Sequence, residues 1–183
     1  MTDTETADVL AEGGGVTVSV LPPVGRFSLR CAPSDRPAIA KALGLALKEG
    51  IGDRAKRGKA ESLCVGPDEW ILRCSAALGM KKQAALAEID ALHPHSFVEI
   101  SDREMTLRLD GAAASDLLAF GCPRDLNTMA VNTGFRSVFD GIGIILWRDD
   151  PEGFRLDVAR SYFPYLLDRL KSGCAELEAA PGI

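Results

Sequence analysis

The sequence predicts an α+β domain made of two pseudo-repeated halves, helices packed on mostly antiparallel sheet. Three observations carry this expectation. Short stretches such as "VTVSVLP" and "EMTLRLDG" alternate apolar and polar residues, the period of half-buried strands. Others, such as "LGMKKQAALAEIDALHP", space their apolar residues three and four apart, the period of amphipathic helices. Finally, the order of elements recurs. A strand and helix, then a hairpin and a helix, are followed by a strand and helix, then three strands and a helix, with Phe27 of "FSLRC" aligned on Met105 of "MTLRL". A chain of 183 residues can bury about 70% of its unfolded surface as one domain. The expected layout is a flexible tail over 1–15 and a domain over 16–183, with halves at about 16–95 and 96–173.

In chain order, "MTDTETADVLAEGGG" is acidic and ends in glycines, which reads as tail; it has neither the basic start nor the apolar stretch of a secretory signal. Strands are expected at 16–22, ending at Pro22-Pro23, and at 25–31. Ser34 or Asp35 can cap a helix with Pro37 in its first turn, Ile39, Leu43 and Leu47 on its inner face, and Gly50 and Gly52 as its end. The basic run "KEGIGDRAKRGKA" is broken by glycines and reads as a solvated loop. "SLCV" and "WILRC" flank Gly66-Pro67-Asp68-Glu69 as a hairpin. The helix over 78–94 turns Ala85, Leu86, Ile89 and Leu92 inward and stops at Pro94. Strands at 96–101 and 104–111, a helix at 112–121 closed by Gly121, and strands at 135–141 and 142–148 joined at Asp140-Gly141 follow. A strand at 154–160 and a helix at 161–173, capped by Ser161 with Pro164 in its first turn, complete the order.

Composition narrows function. Hydrophobic residues make up 46% and charged residues 26%, values of a globular protein, and the net charge of -5 disfavours phosphate backbones. Five cysteines, an odd number without a C-x-x-C pair, read as buried thiols of a cytoplasmic protein. No apolar run approaches the ~20 residues that cross a bilayer.

The residue types of catalysis are sparse. His93 and His95 flank Pro94 in a turn and have no partner set for a metal. No G-x-S-x-G elbow and no G-x-x-x-x-G-K-[ST] loop is present. The carboxylate pairs Asp68-Glu69 and Asp149-Asp150 sit at turns, where they stay solvated rather than gaining the raised pKa of a general acid. Asp125 reads as a local cap or a partner of Arg124. No catalytic, cofactor-binding or metal-binding residue is expected in this chain.

Three segments, in order, carry a resemblance. "VGPDEWILRC" resembles the "GPDEWL" hairpin of the sarcosine oxidase gamma-subunit family. "ISDREMTLRLDGAAASDLLAFGCPRDLN" is similar to that family's strand–helix–"GCPLDL" segment, with Arg124 in place of an apolar residue and Arg103 in place of a His-Arg pair. "FRSVFDGIGIILWRDDPEGFRLDVARSYFPYLLDRL" resembles its C-terminal hairpin, arginine-serine junction and closing helix. The resemblance spans about 26–170. It implies a shortened aminomethyltransferase/folate-binding fold and a non-catalytic subunit of a heterotetramer that oxidises sarcosine to glycine and hydrogen peroxide. The one-carbon unit leaves as formaldehyde or passes to tetrahydrofolate. It also implies alpha, beta and delta partner subunits, which hold NAD, FAD, FMN and zinc.

A subunit of that kind needs a surface rather than a nucleophile. Aromatic and arginine side chains anchor such surfaces, and the pool is Trp70, Phe135, Arg136, Trp147, Phe154, Arg160, Tyr162, Phe163 and Tyr165. Phe135, Trp147 and Phe154 are expected in the core. Arg160, Tyr162 and Tyr165, polar-tipped and flanking a helix start, are the expected partner interface. Two other functions compete. A stand-alone folate-binding or one-carbon-transfer protein would need a carboxylate for the pterin, for which Asp110, Asp125 and Asp157 are the candidates. An unrelated scaffold would be a monomer without an exposed apolar patch.

Overall fold

The computed structural model describes residues 7–179. Within them the chain forms eleven strands and four α-helices, and it divides into two compact units. The first unit takes the residues up to Pro23, Asp102–Asn132 and Arg136 onward; the second takes Val24–Ser101 and Thr133–Phe135.

The second unit shows the repeat in its simplest form. Strand β3 (Gly25–Cys31) leads into α1 (Arg36–Leu43), then β4 (Arg54–Arg57), β5 (Ala60–Gly66), β6 (Glu69–Cys74), α2 (Ala76–Ala87) and β7 (His95–Glu99). The sheet is antiparallel, in the order β4-β5-β6-β3-β7. One face carries Phe27, Leu29, Cys31, Trp70, Leu72 and Cys74, which form a core with Ile39 and Leu43 of α1 and Leu86 of α2. Alternation explains this: residues two apart on a strand share a face, so the apolar set lies under the helices. Each such side chain contributes about 1.5–3 kcal/mol by leaving water. Helix α2 lies close on β3 because Gly79 has no Cβ; one placed there would stand 2.1 Å from the Phe27 ring.

The first unit repeats the order. Strand β8 (Glu104–Asp110) leads into α3 (Ala114–Ala119), then β9 (Thr133–Phe139), β10 (Ile142–Asp150), β11 (Gly153–Ala159) and α4 (Phe163–Ala179). Two N-terminal strands join it, β1 (Asp8–Gly13) and β2 (Val16–Val20), giving the order β1-β2-β8-β11-β10-β9. The alignment of Phe27 on Met105 holds at the level of pairing: Phe27 faces Leu72 of β6, and Met105 faces Val158 of β11. The α+β class and the two similar halves are therefore as expected, but their membership is exchanged. The strand preceding β3 in the chain, β2, pairs with β8; the strand preceding β8, β7, pairs with β3. A division at residue 95 cannot express this.

Other expectations change locally. Residues 8–13, expected within the flexible tail, are strand β1, because a hairpin with β2 satisfies their backbone groups; residues 1–6 lie outside the described residues. The basic run read as a loop contains β4, paired with β5, where Arg54 and Glu61 form an ion pair. Helix α1 stops at Gly44, whose φ of 59° suits glycine, rather than at Gly50. Asp35 sits at its N-cap without a side-chain capping bond; its carboxylate instead meets His93 Nδ1 at 2.9 Å. Helix α2 ends at Ala87, so Leu92, expected inward, is 81% exposed. Ser161 lies in a 3-10 turn over Arg160–Tyr162 ahead of α4, which runs six residues past its expected end at 173, to Ala179. The Asp140-Gly141 hairpin forms as expected, with φ of 47° and 80° at the two residues.

Candidate partner interface

The "VGPDEWILRC" segment closes as a hairpin with Pro67 and Asp68 at its turn. Glu69 lies 3.4 Å from Arg30 on the neighbouring strand, and Trp70 is buried with its indole N–H donating to the Lys48 carbonyl at 2.8 Å. These carboxylates therefore do structural work. So does the other pair. Asp149 accepts two bonds from Arg155, at 2.6 and 2.9 Å, and Asp150 accepts from Arg108 at 3.2 Å. Asp149 and Asp150 close strand β10 rather than standing in a solvated turn.

The three aspartates considered for a pterin ring are each engaged. Asp110 takes both ends of the Arg108 fork, at 2.6 and 2.7 Å. Asp125 caps a 3-10 turn by accepting from Asn127 N at 3.0 Å. Asp157 is buried and accepts from the Thr106 hydroxyl and, at 2.7 Å, from the Trp147 indole N–H. His93 and His95 separate: His93 binds Asp35, and His95 Nδ1 lies 2.7 Å from the His93 carbonyl. Among the described residues, no group of three or more His, Cys, Asp or Glu could hold a metal ion.

The five cysteines are buried free thiols. Burial pushes Cys31, Cys64, Cys74 and Cys174 above the ordinary thiol value of 9.0. Their thiolates, and hence their nucleophilicity, are suppressed. Lys82, also buried, is pushed down by desolvation; its ammonium donates to the Leu43 carbonyl at the end of α1.

The interface pool divides by burial. Trp70, Trp147 and Phe154 are core, while Phe135 and Phe163 are half-buried. Arg160 is exposed and its guanidinium donates to the Asp102 carbonyl at 3.0 Å. Tyr162 and Tyr165 are 54% and 49% exposed. Tyr165 donates to Asp140 at 2.8 Å, a bond that raises its hydroxyl pKa, and Arg169 joins the same carboxylate at 2.9 Å. Beside this triad is a depression of about 90 Å³ lined by Phe120, Phe139, Asp140, Arg169, Ser172, Gly173 and Glu176. Phe120, 53% exposed, was absent from the sequence pool. Its signal was available: Ala114, Leu117 and Leu118 form the inner stripe of α3, and Phe120 falls off it. In the first unit the structure thus brings Tyr165 together with Phe120 around Asp140. Arg160 and Tyr162 occupy the preceding 3-10 turn.

No protein-family model matches the chain. The gamma subunit of sarcosine oxidase from Corynebacterium sp. strain U-96 is 28% identical over 183 residues, spanning 96% of this chain and 87% of that one. A solved heterotetrameric sarcosine oxidase from Corynebacterium sp. U-96, in complex with pyrrole 2-carboxylate, superposes with a TM-score of 0.84 at 26% identity, covering 96% of this chain and 91% of that chain. The chain is a homologue of the sarcosine oxidase gamma subunit. Glycine cleavage system aminomethyltransferase T from Bartonella henselae shares the fold of this gamma-subunit homologue. Its TM-score is 0.64 at 13% identity, over 88% of this chain and 46% of the transferase. No helix of the described residues is long and apolar enough to cross a membrane.

Proposed function

We propose that this chain is the non-catalytic gamma subunit of a heterotetrameric sarcosine oxidase and acts in assembly. The observation that carries the reading is the match over 96% of the chain, in sequence and in backbone, to a sarcosine oxidase gamma subunit and a heterotetrameric sarcosine oxidase. The reaction of the whole assembly is the conversion of sarcosine, oxygen and water to glycine, formaldehyde and hydrogen peroxide, or of sarcosine, oxygen and tetrahydrofolate to glycine, 5,10-methylenetetrahydrofolate and hydrogen peroxide. On this reading the assembly acts in cytoplasmic sarcosine catabolism and one-carbon metabolism. Alpha, beta and delta subunits hold FAD, FMN, NAD and zinc; this chain holds none of them. Arg160, Tyr162, Tyr165 and Phe120 form its contact surface toward a partner subunit. Tyrosine and phenylalanine bury large areas with few rotatable bonds, and Tyr165 is already oriented by Asp140.

Co-expression of the tagged chain with alpha, beta and delta candidates tests the reading. Yellow protein with sarcosine-dependent peroxide production is expected in the pull-down; a tagged chain recovered alone and colourless would overturn it. Within a successful assembly, combined Tyr162→Ala and Tyr165→Ala substitution is expected to weaken association by at least ~30-fold, the effect of losing ~2 kcal/mol at a contact hot spot.

A further inference from the structure

The internal repeat makes an unoccupied position visible. In the first unit, β2 is hydrogen-bonded on one side to β8 and on the other to β1. Its counterpart in the second unit is β7, which is bonded to β3 and is the last strand of its sheet. The two positions correspond in register. Leu21 N donates to Thr106 O at 3.0 Å, and Ile100 N donates to Arg26 O at 2.8 Å. Aligning Met105 on Phe27 places Thr106 on Ser28, the partner of Val98, so Val98 corresponds to Leu21, and Phe97 and His95 to Val20 and Val18. In an antiparallel ladder the bonded sides alternate. Ser96, Val98 and Ile100 therefore face β3, whereas the backbone groups of His95, Phe97 and Glu99 point away from the sheet. The equivalents Val20 and Val18 are paired there with Asp8 and Ala11 of β1.

The opposite edge of this sheet is guarded by cations and this one is not. β4 exposes Lys56 and Arg57, the charge that discourages strand addition, while Arg54 is turned into its pair with Glu61. β7 reads HSFVE, with no Lys, Arg or Pro, with Ser96 exposed and Val98 52% exposed. Phe97 stacks on Phe27 at 4.8 Å between centroids, which ties the strand to β3 from the core side. An edge whose only ionised side chain is Glu99, with outward N–H and C=O groups, is a template for one more strand.

We infer that β7 is a docking edge for an extended segment of another subunit, which lies antiparallel to it and takes the place that β1 occupies in the first unit. The inference rests on the subunit reading above and names a contact that the Tyr162–Tyr165 surface does not include. The incoming segment bonds to His95, Phe97 and Glu99 through its main chain.

Residue-resolved amide hydrogen exchange tests this on the isolated chain and on the assembled oxidase. In the isolated chain the Phe97 and Glu99 amides are expected to exchange at least ~100-fold faster than those of Ser96, Val98 and Ile100, and in the assembly they are expected to slow at least ~10-fold. Glu99→Pro removes one outward N–H, and with it the carboxylate that accepts from the Ser101 hydroxyl, whereas Val98→Lys places a charge on the edge and leaves that bond in place. Each is expected to weaken association at least ~10-fold, with an unchanged melting curve for Val98→Lys. If the chain assembles but the Phe97 and Glu99 amides stay fast and Val98→Lys binds normally, the docking edge is wrong and the subunit reading stands. If the chain joins no other subunit, both fail. Slow Phe97 and Glu99 amides in an isolated dimer would assign the edge to a second copy and overturn the inference.

Discussion

The first unit continues its sheet past β2 with β1, whose hairpin is clamped by α4: Gly14 N donates to the Glu178 carboxylate at 2.7 Å. The second unit stops at β7. The polar faces differ as well. In the first unit, Thr106 and Trp147 converge on buried Asp157, while Arg155 is held by Asp149 and lies 5.0 Å above the Trp147 ring. In the second unit, Glu61 joins Arg54 and Arg73, with Arg73 Nε at 3.6 Å. One strand order thus supports two finishes. The repeat supplies the scaffold, and the strands and charges at its margins differentiate the two copies.

Four measurements test this contrast. The largest effect is expected at Trp147, which fills the core of the first unit and donates to Asp157. Trp147→Ala should cost about 3–5 kcal/mol in urea unfolding; a cost below ~1 kcal/mol would show that the network does not hold that face. Next is Gly14→Ala. The φ of +59° and a Cβ placed 2.3 Å from that of Leu177 should loosen the clamp by about 1–3 kcal/mol. Exchange of the Val9 to Ala11 amides reads it directly, and unchanged rates there would mean that α4 does not secure β1.

The third contrast is alkaline sensitivity. Three of the four thiols raised by burial, Cys31, Cys64 and Cys74, lie in the second unit. Their folded pKa values exceed the unfolded value of 9.0, so the stability they contribute is complete below pH 9 and is lost as pH rises through the folded values. Lys82, lowered by burial, works the other way as pH approaches 10.5. Pulsed alkylation between pH 8 and pH 10 should label these three cysteines before Cys174; the reverse order would contradict the assignment. The smallest effect is at Tyr165. Removing its exposed hydroxyl with Tyr165→Phe should leave the urea midpoint unchanged, so a loss of association reports the interface.

The candidate surface was legible in part. Arg160, Tyr162 and Tyr165 stand at a helix start with polar tips, and that is readable from residue type and spacing. Phe120 and Asp140 join Tyr165 from two other elements, and no local pattern reports a convergence across 20 to 45 residues of chain. Lys82 was illegible for the same reason: its burial depends on the α1 carbonyl of Leu43 being within reach of its ammonium.

Local sequence accounts for the α+β class, the two similar halves, the hairpins at Pro67-Asp68 and Asp140-Gly141, and the alignment of Phe27 on Met105. Each follows from a short-range cause: a side-chain period of two or 3.6, or a turn that requires a particular backbone angle. Only the tertiary structure decided that β2 pairs with β8 and β7 with β3, that residues 8–13 form a strand, that β4 is an edge, and that α1 ends at Gly44. Strand pairing is a contest among distant partners for the same backbone hydrogen bonds. Its outcome depends on which apolar faces are buried together, a property of the assembled sheets and not of any single stretch of chain.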